Sequence, residues 1–101
     1  MLFRSPVTTQ IADGMAVRRA DAAALAAMTG RLDHVVQVSD DEVAGAMRAL
    51  YADTHNAAEG AGAAALAAAL QGRSNLRGQC VGIALTGANV DASLFAEVLG
   101  R

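Results

Sequence analysis

The sequence predicts an α/β fold: a partial three-layer sandwich in which a short parallel sheet is flanked by helices, in the order α-β-α-α-β-α. Two runs carry the β signal. His34 to Val38 and Gln79 or Cys80 to Leu85 are short, rich in β-branched or aliphatic residues, and bounded by polar and glycine-containing stretches. The chain between them has helical spacing, so it can serve as a crossover between parallel strands, right-handed if the two share a sheet. Both runs lead into helix starts. Two strands leave open edges, and four helices need more sheet than that to cover, so the pattern predicts a larger sheet than these residues supply.

Residues 1–17 show little periodicity, and Pro6, Asp13 and Gly14 mark irregular backbone. From Arg19 or Ala20 to about Thr29, Leu25 and Met28 stand at helical spacing in alanine-rich sequence, and Gly30 provides a C-terminal cap. Ser39-Asp40-Asp41-Glu42 is a capping box: the Ser oxygen satisfies a free N–H while the Glu side chain reaches back. The helix it opens places Val43, Met47, Leu50 and Tyr51 on one face and ends near His55 and Asn56. Glu59-Gly60-Ala61-Gly62 leads into a helix over Ala63 to Leu70, nearly bare apart from Leu66 and Leu70, whose alanine walls allow backbones to approach closely. Residues 72–78 form a polar connection, and Asp91 to Leu99 a last helix with Leu94, Phe95, Val98 and Leu99 apolar.

Composition narrows the functional classes. The 101 residues are 53% hydrophobic, but much of that is alanine and only 3% is aromatic, so the core is thin. All eight basic residues are arginines, scattered along a chain of net charge −2, which gives no electrostatic footprint for nucleic acid or an anionic membrane. The longest small-apolar stretch, Ala61 to Leu70, is too short to span a bilayer, and the opening Met1 to Pro6 lacks the apolar segment of a signal peptide. A single cysteine, Cys80, forms no internal disulfide and is expected to pack as a small hydrophobe in its strand. A cytoplasmic location is the expectation. His34 and His55 lack partners at metal-ligand spacing, and Asp40 and Asp41 read as first-turn helix charges, so neither a metal site nor a carboxylate pair is expected.

Chemistry concentrates at Thr86-Gly87-Ala88-Asn89-Val90-Asp91. There a strand delivers a hydroxyl and a glycine turn to the start of a helix, which suits a ligand site at the carboxyl end of a strand. The same residues also fit an ordinary strand-to-helix turn in which Asn and Gly accommodate positive φ. Likewise Glu59 suits a carboxylate placed near the positive end of a helix dipole.

Four motifs in order carry a resemblance: Thr9-Gln-Ile-Ala-Asp-Gly14, Val38-Ser-Asp-Asp-Glu42, Ala58-Glu-Gly-Ala-Gly-Ala-Ala-Ala-Leu-Ala67 and Leu85-Thr-Gly-Ala-Asn-Val-Asp91. From about Thr8 to Leu99 the chain resembles the C-terminal third of the threonine/serine dehydratases, which stand with serine racemase among fold-type II pyridoxal-phosphate enzymes. The resemblance implies that residues 1–101 are the C-terminal part of a larger catalytic domain, without an appended regulatory domain. It implies pyridoxal phosphate as cofactor, with the Thr86 hydroxyl on the pyridine nitrogen, Gly87 allowing close backbone approach, Asn89 ordering the turn through its amide, Glu59 beside the ring and Gly14 at the cavity wall. Gly60 stands where some relatives have proline, a departure expected to loosen the entry to the following helix.

The implied activity is dehydration and deamination of L-threonine, L-serine or a related hydroxy amino acid to a 2-oxo acid and ammonia, with racemisation the nearest enzymatic alternative. No catalytic residue is assigned within the chain, because the lysine on which the family's chemistry depends, and its glycine-rich phosphate loop, are not among these residues. The expected partners are the amino-acid substrate and a missing N-terminal portion or complementing subunit, in a homo-oligomer. A non-catalytic α/β fragment acting by association is the other reading.

Overall fold

A computed structural model describes residues 8–101. The sequence readings at Met1 to Pro6 lie outside that span. Among the described residues the regular elements are helices: α1 (Ala22–Met28), α2 (Asp40–Thr54), α3 (Gly60–Gln71) and α4 (Ala92–Leu99), with single 3-10 turns at Asp13–Met15 and Arg73–Leu76.

The expected sheet does not form among the described residues. Residues 34–38 and 79–85 form no strand among the described residues. A strand exists only through a ladder partner, and these two segments do not pair with each other. Instead Val36 and Val38 from one and Ala84 and Thr86 from the other line a common groove of about 460 Å³ floored by Ala61, Ala64, Ala65 and Ala68 of α3. The space a ladder would fill is open, and Val35, Val36, Val81, Ile83 and Leu85 are exposed. Cys80, expected to pack inside a strand, is exposed for the same reason.

Helix boundaries follow local chemistry. α1 starts later than its apolar spacing predicts, because the Asp21 carboxylate accepts from Ala24 N–H at 2.8 Å and so fixes the N-cap. Gly30 closes the helix as expected, at φ +78°. The capping box of α2 forms in full: Glu42 N–H donates to Ser39 Oγ (3.2 Å) and Ser39 N–H to Glu42 Oε2 (2.7 Å). At the other end His55 adopts the left-handed conformation, φ 57°, and its N–H returns to Tyr51 O.

α2 is the central packing element. Val43, Ala44, Ala46 and Met47 are buried against Ala63, Ala64 and Ala67 of α3, with Ile11, Ala58 and Val98 completing the core. On α3 the alanine face is buried, whereas Leu66 is half-buried at the edge of the core and Leu70 is exposed. α4 leans on α2 through Val98 and an edge-on Tyr51–Phe95 contact with centroids 5.5 Å apart. Arg48 adds a hydrogen bond to Val98 O at 3.4 Å. The molecule is 41 × 35 × 18 Å, a slab about two helices thick at most, which is what one face of a layered fold looks like without its other layers.

The free end of α3 is tied to the α2 cap. Gln71 Nε2 donates to Gln37 O (2.9 Å) and to the Glu42 carboxylate (3.1 and 3.2 Å). Donation from Ser39 N–H, then from Gln71, holds the Glu42 carboxyl below its ordinary value of 4.5. A carboxylate with a depressed folded-state pKa contributes stability that is complete above the ordinary value and is lost as pH falls through the lowered one. Urea denaturation followed by circular dichroism should therefore show wild-type stability falling below about pH 4.5, and the Glu42→Gln variant a shallower fall over the same range. Identical acid limbs for the two proteins would refute the assignment.

Candidate functional site

The first turn of α3 is where three of the four sequence motifs meet, the fourth, at the start of α2, holding one of them from behind. Glu59 is its N-cap, and loops press on it from both sides. On one side lies Ile11 to Gly14: a Cβ at Gly60 would fall 2.0 Å from Ile11 O, and a Cβ at Gly14 would fall 2.9 Å from the Ala61 Cβ. On the other lies the turn from Thr86 to Asn89: Glu59 N–H donates to Gly87 O (3.1 Å), and Asn89 N–H donates to Glu59 Oε2 (3.0 Å). Glu59 thus clasps the turn with both its main chain and its side chain.

The Ile11 side is anchored in turn by α2. Asp40, in the first turn of that helix, accepts from Thr9 Oγ1 (2.5 Å) and from Gln10 N–H (2.7 Å), while Thr9 Oγ1 itself accepts from Ala12 N–H (3.0 Å). Asp40 is the first-turn charge that the sequence predicts, and it also fixes the loop that carries Gly14.

Of the residues singled out from sequence, Gly14, Glu59, Gly87 and Asn89 form one contiguous group, with the Glu59 Oε1 2.8 Å from where a Gly87 Cβ would sit and 3.8 Å from a Gly14 Cβ. Thr86 is adjacent but faces a different space: it lines the apolar groove with Met15, Val38 and Ala61 and is exposed. Glu59 and Asn89 line a smaller polar cleft of about 210 Å³ together with Gln10, Asp13 and Asp91.

Two local expectations are corrected. Neither Gly87 nor Asn89 has positive φ; among the described residues only His55, Gly30 and Gly78 do. What favours glycine at 87 is packing and not backbone conformation, because a Cβ there would push the Glu59 carboxylate off its bond to Asn89 N–H. Asn89 orders the turn through its main-chain N–H.

Gly60 does not loosen the helix entry; it is buried and lets Ile11 cross the helix start at a distance no side chain permits. Gly62 and Asp40 were not legible as site-forming residues. The available signal was the pair of glycines at alternate positions in a helix start, which costs helix propensity and so marks a close approach. His34 does have an acidic neighbour, Asp33, whose Oδ2 lies 2.6 Å from Nδ1, with both side chains exposed. No group of three or more His, Cys, Asp or Glu side chains gathers among the described residues. No described helix is long and apolar enough to cross a membrane.

Comparison with known proteins bears on this arrangement. A sequence profile described as pyridoxal-phosphate dependent enzyme matches residues 2–87. An L-threonine ammonia-lyase of Geobacter sulfurreducens is 38% identical over 101 residues, covering 99% of this chain and 25% of that protein. A phenylserine dehydratase of Ralstonia pickettii is 46% identical over 70 residues, 68% of this chain and 22% of its own length. An L-threonine ammonia-lyase of Thermotoga maritima is 30% identical over 91 residues, 90% of this chain and 22% of its own. The chain therefore spans about a quarter or less of the length of these curated relatives.

The contact at Gly60 gives a sharp test. Because the clashing atom is a backbone oxygen, Gly60→Ala is expected to destabilise the protein by about 1–3 kcal/mol, the usual cost of overpacking, although alanine is the better helix former. Chemical denaturation measures it, and a neutral or stabilising effect would show that Ile11 does not cross there.

Proposed function

The chain belongs to the pyridoxal-phosphate dependent enzyme family, and on that premise we propose that it supplies the cofactor-ring end of a lyase acting on a hydroxy amino acid. The reaction proposed is elimination of water from L-threonine, L-serine or a related 3-hydroxy amino acid, followed by hydrolysis of the resulting enamine, which takes up one water and releases ammonia and a 2-oxo acid. The relatives named as L-threonine ammonia-lyases and phenylserine dehydratase support that substrate class. The observation that carries the reading is the convergence of Gly14, Glu59, Gly87 and Asn89 on one helix start, with Thr86 standing at the end of an apolar groove beside them.

The residues present fit one end of the cofactor. A groove with an alanine floor, a hydroxyl at its wall and a glycine turn beside it suits a flat ring that carries one polar atom at its edge. No lysine or arginine lines that groove, and its one ionisable side chain, His34, is engaged with Asp33, so the phosphate is assigned to residues outside this chain. When bound, pyridoxal phosphate supplies the electron sink that stabilises charge at the amino-acid α-carbon.

Thr86 then acts as a tuning group. Its neutral hydroxyl holds the ring nitrogen by a hydrogen bond and carries no negative charge with which to keep that nitrogen protonated. That limits the sink to what β-elimination of water requires. Glu59 keeps the turn in place through Gly87 O and Asn89 N–H, and Gly87 leaves the approach to the ring free of a side chain. With no lysine among the 101 residues, proton transfer at the α-carbon falls to a side chain outside them.

A second reading, association through unpaired segments, is favoured by the exposed Val35, Val36, Val81 and Ile83. It describes the same chain when it stands alone. Unpaired backbone and exposed aliphatic side chains promote pairing between molecules.

Two measurements test these readings. In the assembled enzyme, Thr86→Val should weaken pyridoxal-phosphate binding or lower kcat/KM for 2-oxo acid formation roughly tenfold, about the worth of one hydrogen bond, with Thr86→Ser retaining most of both; equal behaviour of Val and wild type would sink the contact. For the chain alone, sedimentation velocity should show dimers or larger species, and a compact, stable monomer would contradict the association reading.

A further inference from the structure

Gly62 lies buried in the first turn of α3 and meets the backbone of Gly87. A Cβ at position 62 would come 2.5 Å from Gly87 O, 3.0 Å from Gly87 N and 3.4 Å from Gly87 C. All three are main-chain atoms, so none can swing aside as the tip of a flexible side chain does. The same carbonyl oxygen already accepts the Glu59 N–H, and the next links of the turn are held by the Glu59 carboxylate through Asn89 N–H. On its other side Gly87 meets the Glu59 carboxylate, Oε1 lying 2.8 Å from where its own Cβ would fall, a side-chain tip held only by its bond from Asn89 N–H.

We propose that Gly62 is a positioning residue: its bare α-carbon sets how deeply the turn from Thr86 to Asn89 seats on α3, and so where the Thr86 hydroxyl stands. Its effect on the cofactor rests on the reading of Thr86 given above. The seating itself does not. An alanine at 62 forces the Gly87 carbonyl outward by roughly an ångström to reach ordinary contact, which stretches the Glu59 N–H bond and carries Thr86, one residue earlier, with it. Displacements of that size are enough to impair a site built on fixed geometry.

Gly45 is the matched control. It also lies in a helix, and a Cβ there would meet only the Arg48 guanidinium at 3.6 Å, an ordinary contact.

Nuclear magnetic resonance of the full chain tests the seating directly. In the wild type, a cross-peak between the Gly62 α-protons and the Gly87 amide proton is expected, and its absence would overturn the proposal without any variant having to fold. In Gly62→Ala, hydrogen exchange at the Glu59 and Asn89 amides should accelerate roughly tenfold, as for a hydrogen bond weakened by about 1.4 kcal/mol, while amides of α2 and those of Gly45→Ala keep wild-type rates. Unchanged exchange at both amides, or equal acceleration throughout α2, would also overturn it. In the assembled enzyme the same variant should weaken pyridoxal-phosphate binding severalfold and shift its visible absorption band. If the amides loosen while the band and the affinity stay at wild-type values, the positioning role stands and the Thr86 contact is what fails.

Discussion

The start of α3 is approached by backbone from both sides at once, and the rest of the molecule is arranged around that constraint. Ile11 crosses at Gly60 and Gly87 seats on Gly62, each at a distance that excludes any side chain. Glycine in a helix costs about 1 kcal/mol relative to alanine, and two within three residues make this a poor helix start in isolation. Tertiary contact offsets the loss: Glu59 caps no N–H of its own helix and instead directs its carboxylate to Asn89. A residue placed to stabilise the helix has been recruited to hold a neighbouring turn.

A second anchor lies at the start of α2, and it explains why the two loops keep their places relative to α3. Asp40 receives Thr9 Oγ1 and Gln10 N–H, and Glu42 receives Ser39 N–H and Gln71 Nε2. Three carboxylates in one first turn would repel one another, but the helix N-terminus favours negative charge and two of the three have donors assigned to them. The third, Asp41, is almost fully exposed, where repulsion is cheaply screened. The α2 terminus thereby binds the Gly14 loop on one flank and the far end of α3 on the other.

Local structure was legible in the sequence wherever a short-range rule governs it. The capping box and the glycine stop after α1 depend on neighbours within four residues, and the helical character of α2, α3 and α4 shows in their local spacing and composition. The sheet was not legible in the same way, because β-branched residues report a segment able to join a ladder and say nothing about whether the partner is present. The alanine walls of α3 were read as allowing close backbone approach, and they do: helix-on-backbone contact selects the smaller side chain, and Ala63, Ala64 and Ala67 fill the core. At the site, the grouping of Gly14, Glu59, Gly87 and Asn89 followed from ordered motifs, while the reason for glycine at 87 did not. A turn glycine is usually read as a φ requirement, and only the carboxylate packed beside it reveals a steric one.

The division of labour within the site follows from which groups are anchored and which are free. Glu59 has committed its main chain to Gly87 and its carboxylate to Asn89, so its chemistry is spent on geometry. Thr86 stands one residue before this clasp, exposed at the wall of the groove. Its main chain is the immediate continuation of a turn fixed at two points. A side chain with one rotatable bond to its hydroxyl, mounted on backbone held in that way, has little freedom left to lose on meeting a ligand. Preorganisation of this kind suits a group whose role is to set the electronic character of a bound ring, since such a role depends on position more than on reactivity. The tuning role proposed for Thr86 calls for a rigid mount, and Gly62, by letting the turn seat against α3, contributes to one.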